Sequence, residues 1–380
     1  MDFQWTEEQR LIQQTAREFA QNEVAKDADE RDRTETFPEH HVKQMAELGF
    51  MGMMVSPEYG GSGLDSVSYV IVIEELSKVD ASVGVICSVN NSLVCFGLEA
   101  YGTEAIKQNY LTPLAKGEKL GAFCLSEPDS GSDASAMKTS AVRQGDQYLL
   151  NGTKNWITNG KYAEYYVVTA HTDLSAGHRG ISTFVVEKSF PGFSVGKKEK
   201  KLGIRSSDTV SIVLDDCVVP KENLLGNEGD GFKIAMQTLN GGRIGIAAQA
   251  LGIAQGSLEA AITYAKEREQ FGKPIARFQA IQFKLADMET RIDAARLLTY
   301  QAAWKKDNNL SYSVDAAKAK VFASETAVYA STEAVQIFGG YGYLKDYPVE
   351  RFMRDSKITE IYEGTSEIQR LVIGRGLLGK

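Results

Sequence analysis

"QYLLNGTKNWITNG", residues 147–160, is where a chain that until then reads as helix changes its period. Tyr148 and Leu150 alternate with more polar neighbours, and Gly152, Asn155, Asn159 and Gly160 punctuate the run. "YYVVTAHT" (165–172), "ISTFVVEK" (181–188), "FSVGKK" (193–198) and "VSIVLDDCVV" (210–219) repeat the texture. Short β-branched or aromatic runs separated by Gly, Asp, Asn and Pro predict a compact antiparallel β-domain, here over residues 121–230.

Outward from that unit, both flanks carry helical signals. Thr6 is a candidate N-cap for "EEQRLIQQTAREFAQNEVA", in which Leu11, Thr15 and Phe19 recur at helical spacing. "YVIVIEELSKVDASVGVICSVNNSLVCFGLEAYG" (69–102) is apolar all round, as a helix buried in a bundle would be. Beyond Gly231, Ile281, Leu285, Met288, Ile292 and Ala295 mark a long amphipathic helix, and Ser313–Phe338 marks another. The expected fold class is α+β: an N-terminal helical domain (1–120), the β-domain (121–230) and a C-terminal four-helix bundle (231–380). A ligand is expected in the cleft between these layers.

Composition narrows the function. In 380 residues, 42 basic side chains against 50 acidic give a formal charge of −8, which disfavours a broad nucleic-acid or anionic-membrane surface. No basic start followed by an apolar run and cleavage site opens the chain, and no run of about 18 apolar residues is read, so neither a signal peptide nor a membrane span is expected. Cys87, Cys95, Cys124 and Cys217 show no C-x-x-C spacing and the four histidines complete no ligand set. The reading is a reduced, intracellular protein without structural metal.

Five stretches could carry chemistry. "FCLSEPDSGSD" (123–133) turns from strand into a loop of Ser126, Ser130, Gly131 and Ser132, whose backbone N–H groups and hydroxyls suit a phosphate or a heterocycle edge; an ordinary surface turn has the same composition. "NWITNG" (155–160) sets Trp156 and Thr158 on one side of a strand, where an indole and a hydroxyl could cover a planar ring, although a lone Trp is as a rule a core residue. "REQFGKPI" (268–275) places Arg268 before a Gly and Pro that break the helical pattern, either an anion holder or a surface arginine. "QIFGGYGYLKDYPVERFMRD" (336–355) ends a helix at Gly339–Gly340, where another chain or a cofactor can approach the backbone.

The fifth, "KITEIYEGTSEIQR" (357–370), puts Glu360, Glu363 and Glu367 among Ile358, Ile361, Tyr362 and Ile368. All three carboxylates would ordinarily be solvated faces or caps. Glu363 differs by following Ile361 and Tyr362 and preceding Gly364; desolvation there would raise its pKa and make it a better base near neutral pH.

Together these segments resemble the acyl-CoA dehydrogenase family over nearly the whole chain. "FCLSEPDSGSDASAMKTSA" and "QIFGGYGYLKDYPVERFMRD" look like its two signatures and "IYEGTSEIQR" like its catalytic segment. The resemblance implies that Glu363 removes the pro-R α-proton of an acyl-CoA thioester while the β-hydride passes to the N5 atom of FAD. It implies that the Glu363 N–H, with a flavin hydroxyl, stabilises the enolate-like oxygen. Some relatives carry the base at the position aligned with Gly242, and Gly cannot accept a proton, which favours Glu363.

By the same resemblance, Phe123, Leu125, Ser126, Gly131 and Ser132 lie along one edge of the isoalloxazine, and Trp156, Ile157 and Thr158 on its other side. Thr365, Ser366 and Glu367 meet the ADP portion. Arg268 and Gln279, with Gln336, Ile337, Phe338, Gly339 and Gly340, meet the flavin of a partner subunit, which implies a homo-oligomer, usually a homotetramer. Ser132, Asn240, Gly241, Gly242, Arg243 and Gly364 match acyl-CoA contacts, with Arg243 toward the nucleotide end of CoA.

"SVNNSLV" (88–94) and the end "YEGTSEIQRLVIG" look most like the short-chain, butyryl-CoA branch. A short branched acyl group such as isobutyryl or 2-methylbutyryl is the alternative, and a non-catalytic helical scaffold the reading from another class. Electron-transferring flavoprotein is the implied acceptor, and the cytoplasm, or the mitochondrial matrix for a processed form, the implied location.

Overall fold

The computed structural model describes residues 4–379. Its N-terminal part contains α1 (Glu7–Asn22), α2 (Ala28–Thr34), α3 (Glu39–Glu47), α4 (Ser66–Ser77), α5 (Ala81–Ser88), α6 (Phe96–Tyr101) and two short helices, α7 (Glu104–Ile106) and α8 (Thr112–Ala115). Thr6 caps α1 with a full capping box, its hydroxyl accepting from Gln9 N and the Gln9 side chain accepting from Thr6 N, each at 3.1 Å. That exchange satisfies two donors that a helix start leaves open.

The apolar run 69–102 is divided at Asp80, which caps α5 through Ser82 N at 2.8 Å and receives Arg31 Nη2 at 2.7 Å. From Ala81 to Tyr101 the chain then forms one rod, with a π-helical turn over Val89–Cys95. By length and composition this rod could cross a membrane, which corrects the sequence reading that no such stretch exists. Its most apolar window is 94% buried inside the fold, so it serves as a core helix.

The π-turn exposes two asparagines to neighbouring backbone. Asn91 donates to Phe50 O at 2.8 Å and accepts from Met53 N at 2.8 Å, while Asn90 donates to Met51 O at 2.8 Å and accepts from Gly121 N at 3.0 Å. "SVNNSLV" therefore splices the helical part to the first strand, a structural role beyond its likeness to one branch.

The strands are β1 (Gly121–Cys124), β2 (Ser140–Gln144), β3 (Gln147–Thr158), β4 (Tyr165–His171), β5 (Ile181–Glu187), β6 (Phe193–Lys198), β7 (Thr209–Pro220) and β8 (Leu224–Leu225). They form one sheet in the order β6-β7-β3-β2-β4-β5-β8, with β1 added on β4. The sheet is chiefly antiparallel, as the turn-rich sequence predicts, but β1 and β2 each run parallel to β4. Its own core includes Tyr148, Leu150, Tyr166, Phe184 and Ile212, and the helical parts share a second core. A small cluster of Leu125, Met137, Ile181 and Ala235 joins the sheet to the long helix that follows.

The C-terminal part holds α9 (Gly231–Glu267), α10 (Gln279–Asp307), α11 (Ser313–Phe338), α12 (Val349–Ser356) and α13 (Ser366–Leu378). The buried face of α11 is Ala316, Ala319, Ala323, Ala327, Ala330 and Ala334, small side chains at helical spacing that allow close packing on its neighbours. Between α9 and α10, "REQFGKPI" is a tight hairpin, β9 (Glu269–Gln270) paired with β10 (Lys273–Pro274), its two turn residues Phe271 and Gly272 both at positive φ. Buried Asp355 of α12 accepts Ile204 N at 2.5 Å, and Arg354 holds Asp32 at 2.7 Å, so one short helix ties all three parts together.

Candidate active site

After α12, a 3₁₀ turn over Lys357–Glu360 and the turn 361–364 lead into α13, whose N-cap Thr365 accepts from Ile368 N at 3.3 Å. The three glutamates of this segment separate cleanly. Glu360 pairs with Lys357, and Glu367 is exposed on the first turn of α13, where a carboxylate complements the helix dipole. Glu363 alone has a carboxylate oxygen, Oε2, shut off from solvent and without a hydrogen-bond partner, although the residue as a whole is only half-buried.

Glu363 also has a left-handed backbone, φ 52°, which costs a side-chain-bearing residue roughly 1 kcal/mol or more and persists only where surroundings enforce it. They do: Gln369 Nε2 donates to Glu363 O at 3.2 Å and to Gly364 O at 2.8 Å, and Lys320 Nζ donates to Gly364 O at 2.7 Å. The Tyr362 hydroxyl donates to Gln249 on α9. Beneath the carboxylate lies Gly242, where a Cβ would stand 1.9 Å from Glu363 Oε2 and 2.7 Å from Leu93 Cδ2. Position 242 and the Glu363 carboxylate thus compete for one volume. That competition is a physical reason why a family could place its acid on either element.

Burial is the largest influence on Glu363 and pushes its pKa up to about 8, against the positive charges of Lys320 and Arg243. Burial likewise lowers Lys320 to about 8, while the negative charge of Glu363 supports its proton. Arg243 is 5% exposed, lowered by desolvation, and donates to Asn240 Oδ1 at 2.7 Å. That interior place, within electrostatic reach of Glu363, corrects the expectation that Arg243 points to the nucleotide end of CoA. Asn240 Oδ1 also accepts the Ser313 hydroxyl at 3.0 Å.

The Ser-rich loop is anchored from below by a buried ion pair. Lys154 on β3 donates to Glu127 at 2.8 Å and to Leu125 O at 3.0 Å, and Glu127 accepts Thr139 N at 3.0 Å. Asn155 N donates to Ser126 O at 2.9 Å, which sets the loop beside Trp156. Trp156 is no core residue: it sits on a β-bulge at φ 58°, is 56% exposed, and lies 3.9 Å from where a Cβ on Gly131 would be. Thr158 is half-buried and Ser132 exposed. Phe123 packs into the helical core and Leu125 into the joining cluster, and Ile157 is buried in the sheet core, so Ile157 can offer a ligand only its backbone.

A cavity of about 480 Å³ brings Arg268 together with Ile337, Phe338, Gly339, Gly340 and Tyr341. The Arg268 guanidinium lies 5.3 Å over the Tyr341 ring, and Gly339 and Gly340 face open space. Gln279 and Gln336 are exposed and do not line it. Ile337 and Phe338 point into the core, Phe338 stacked on Tyr264 at 4.0 Å.

A flavin and an acyl thioester fit these surfaces. Thr238 Oγ1 and Arg243 Nε on α9, and Glu363 Oε2, Ser366 Oγ and Gln369 Oε1, are buried polar atoms without partners among the described residues, concentrated where a polar ligand would meet them. Sequence reasoning missed Lys320, Lys154 and Gln369. The two lysines were detectable: Lys320 falls on the alanine stripe of α11, and Lys154 on the inward phase of β3. A cation at a core phase signals a built site.

Three family descriptions match consecutive parts of the chain: "Acyl-CoA dehydrogenase, N-terminal domain" over residues 6–118, "middle domain" over 122–217 and "C-terminal domain" over 229–378. The short-chain specific acyl-CoA dehydrogenase of Clostridium acetobutylicum is 56% identical, covering 98% of each chain. The structure of butyryl-CoA dehydrogenase from Megasphaera elsdenii superposes with TM-score 0.98 at 50% identity, each chain covered in full. A chain from a structure of the electron transferring flavoprotein of Acidaminococcus fermentans does so with TM-score 0.99 at 54% identity, again in full.

Proposed function

Because this chain belongs to the acyl-CoA dehydrogenase family, a family of flavoprotein oxidoreductases, we propose that it converts butyryl-CoA to crotonyl-CoA with Glu363 as the base and FAD as the cofactor. One observation carries the assignment of the base: the solitary, desolvated Oε2 of Glu363, held by an enforced left-handed turn. Bound FAD supplies the acceptor for the β-hydride.

The proton is the work of the chain. Glu363 as carboxylate takes the α-proton, and the cost of developing charge on the thioester oxygen falls when a fixed donor faces it. Among the described residues nothing accepts the Glu363 N–H, so that donor is available. Ser126, Gly131, Ser132, Trp156 and Thr158 hold the flavin from one side, Thr365, Ser366 and Glu367 its ADP part, and Arg268 with Gly339–Gly340 the flavin of a second subunit. Asn240 to Arg243 line the acyl-CoA. Short-chain selectivity is supported by the named relatives, and electron-transferring flavoprotein as acceptor by the Acidaminococcus structure. A soluble location, bacterial cytoplasm or mitochondrial matrix, accords with this reading.

Anaerobic titration of the flavin-replete protein with butyryl-CoA tests it. Bleaching of the visible flavin band with crotonyl-CoA formed is the expected result; bleaching only by isobutyryl- or 2-methylbutyryl-CoA would overturn the chain length, and none by any acyl-CoA the activity.

Two further results are expected. The rate of flavin reduction should rise with pH and level off above about 8, as Glu363 loses its proton. Stability runs the other way: the folded chain binds this proton more tightly than the unfolded chain, so the contribution of Glu363 falls as pH climbs from the ordinary carboxylate range to about 8. Rate and melting temperature measured over one pH series check both signs. Arg268→Ala should weaken flavin retention or lower the mass in solution, read by dialysis against low FAD and by light scattering.

A further inference from the structure

Lys320 is fully buried on α11, its side chain 0% exposed, yet among the described residues no carboxylate forms an ion pair with it. Its ammonium donates to Gly364 O at 2.7 Å, the carbonyl that Gln369 Nε2 also reaches at 2.8 Å. A buried cation without a counter-ion is costly, and a bland core helix would carry alanine there, as it does at Ala316, Ala319, Ala323 and Ala327. Resting on the reading of Glu363 as base, we propose that Lys320 is a positioning residue with two actions on it. Its hydrogen bond pins the left-handed Glu363–Gly364 turn, and its positive charge favours the carboxylate over the carboxylic acid.

The groups facing Glu363 make the second action specific. Arg243 approaches from α9, Tyr69 from α4, and Tyr362 adjoins it. The tyrosines are held neutral, Tyr69 by burial and Tyr362 by burial and the Glu363 charge, so only Lys320 and Arg243 favour the ionised base. Glu360 and Glu367 lie far enough out to act on Lys320 more weakly than Glu363 does. Arg243 is always charged; Lys320, lowered by burial to about 8, is the one whose proton is itself at stake. When Glu363 accepts the substrate proton, the pair passes from ion with counter-ion to neutral acid beside cation, so the charge that helped create the base also helps release it afterwards.

The experiment compares Lys320→Arg, Lys320→Gln and Lys320→Met. Arg keeps charge and donor, Gln keeps a donor alone, and Met keeps neither. Three readouts are taken: the pH profile of flavin reduction, the pH titration of the Glu363 carboxyl infrared band, assigned by its absence in Glu363→Gln, and FAD retention. Gln and Met should move both profiles to higher pH by about one unit or more, lowering the rate at pH 7 about tenfold, since below its pKa the carboxylate fraction falls tenfold per unit. Arg should leave the midpoint near that of the natural protein. Met should in addition speed hydrogen exchange over residues 361–369, whereas Gln should not. Unshifted profiles in Gln and Met overturn the electrostatic action, and unchanged exchange in Met overturns the tether. An active Glu363→Gln would instead overturn the underlying reading of the base.

Discussion

Glu363→Gln should lower reduction of the bound flavin by butyryl-CoA by roughly 10²- to 10⁴-fold, the range that a positioned proton acceptor contributes. Gln is nearly isosteric and neutral, as Glu363 itself is below about pH 8, so the pocket needs no new counter-charge and the fold should persist. Flavin should remain bound, because Glu363 contributes a side chain to the proton and not to the cofactor. Stopped-flow absorbance under anaerobic conditions measures the rate, and the visible spectrum of the purified variant measures retention. A rate within a few-fold of the natural protein would remove Glu363 from the mechanism whatever the family likeness implies.

Gly242→Ala should cost at least roughly 10²-fold in the same assay, from one methyl group on a helix that makes no proton transfer. The new Cβ would lie 1.9 Å from Glu363 Oε2 and 2.7 Å from Leu93 Cδ2, both well inside contact distance. The carboxylate is the far end of a flexible side chain, so it yields first; misplacing a reacting group by about 1 Å typically costs that much. Ala is also a better helix former than Gly within α9, so melting temperature should change little even as activity falls. The double variant Gly242→Ala with Glu363→Gln should be no slower than Glu363→Gln alone, because both changes remove the same function. Additive losses would mean that Gly242 acts elsewhere, for example on the thioester.

How much of this could be read without coordinates differs from segment to segment. The α-β-α order was legible because periodicity is a local property: Leu11, Thr15 and Phe19 report helix and Tyr148 and Leu150 report strand wherever they end up in space. Glu363 was legible as a candidate for a similar reason, since Ile361, Tyr362 and Gly364 announce an apolar turn. Trp156 was misjudged as a lone residue because a β-bulge turns it outward, and a bulge depends on the register of β3 against β7. The apolar rod 81–101 was likewise undecidable by composition, since a core helix and a membrane span satisfy the same count until the surroundings are known.

By itself, then, the sequence determined the three-part architecture, the absence of a broad basic surface and the short list of segments that bear chemistry, all consequences of composition and of periods of two or 3.6 residues. Only the tertiary structure decided that Oε2 of Glu363 is solitary, that Gly242 on α9 yields it room, and that Lys320 on α11 stands behind its backbone. Those relations join residues more than 40 positions apart on three elements. The energies involved, desolvation of a carboxylate and the charge of a buried lysine, depend on distance and burial, which no local pattern encodes.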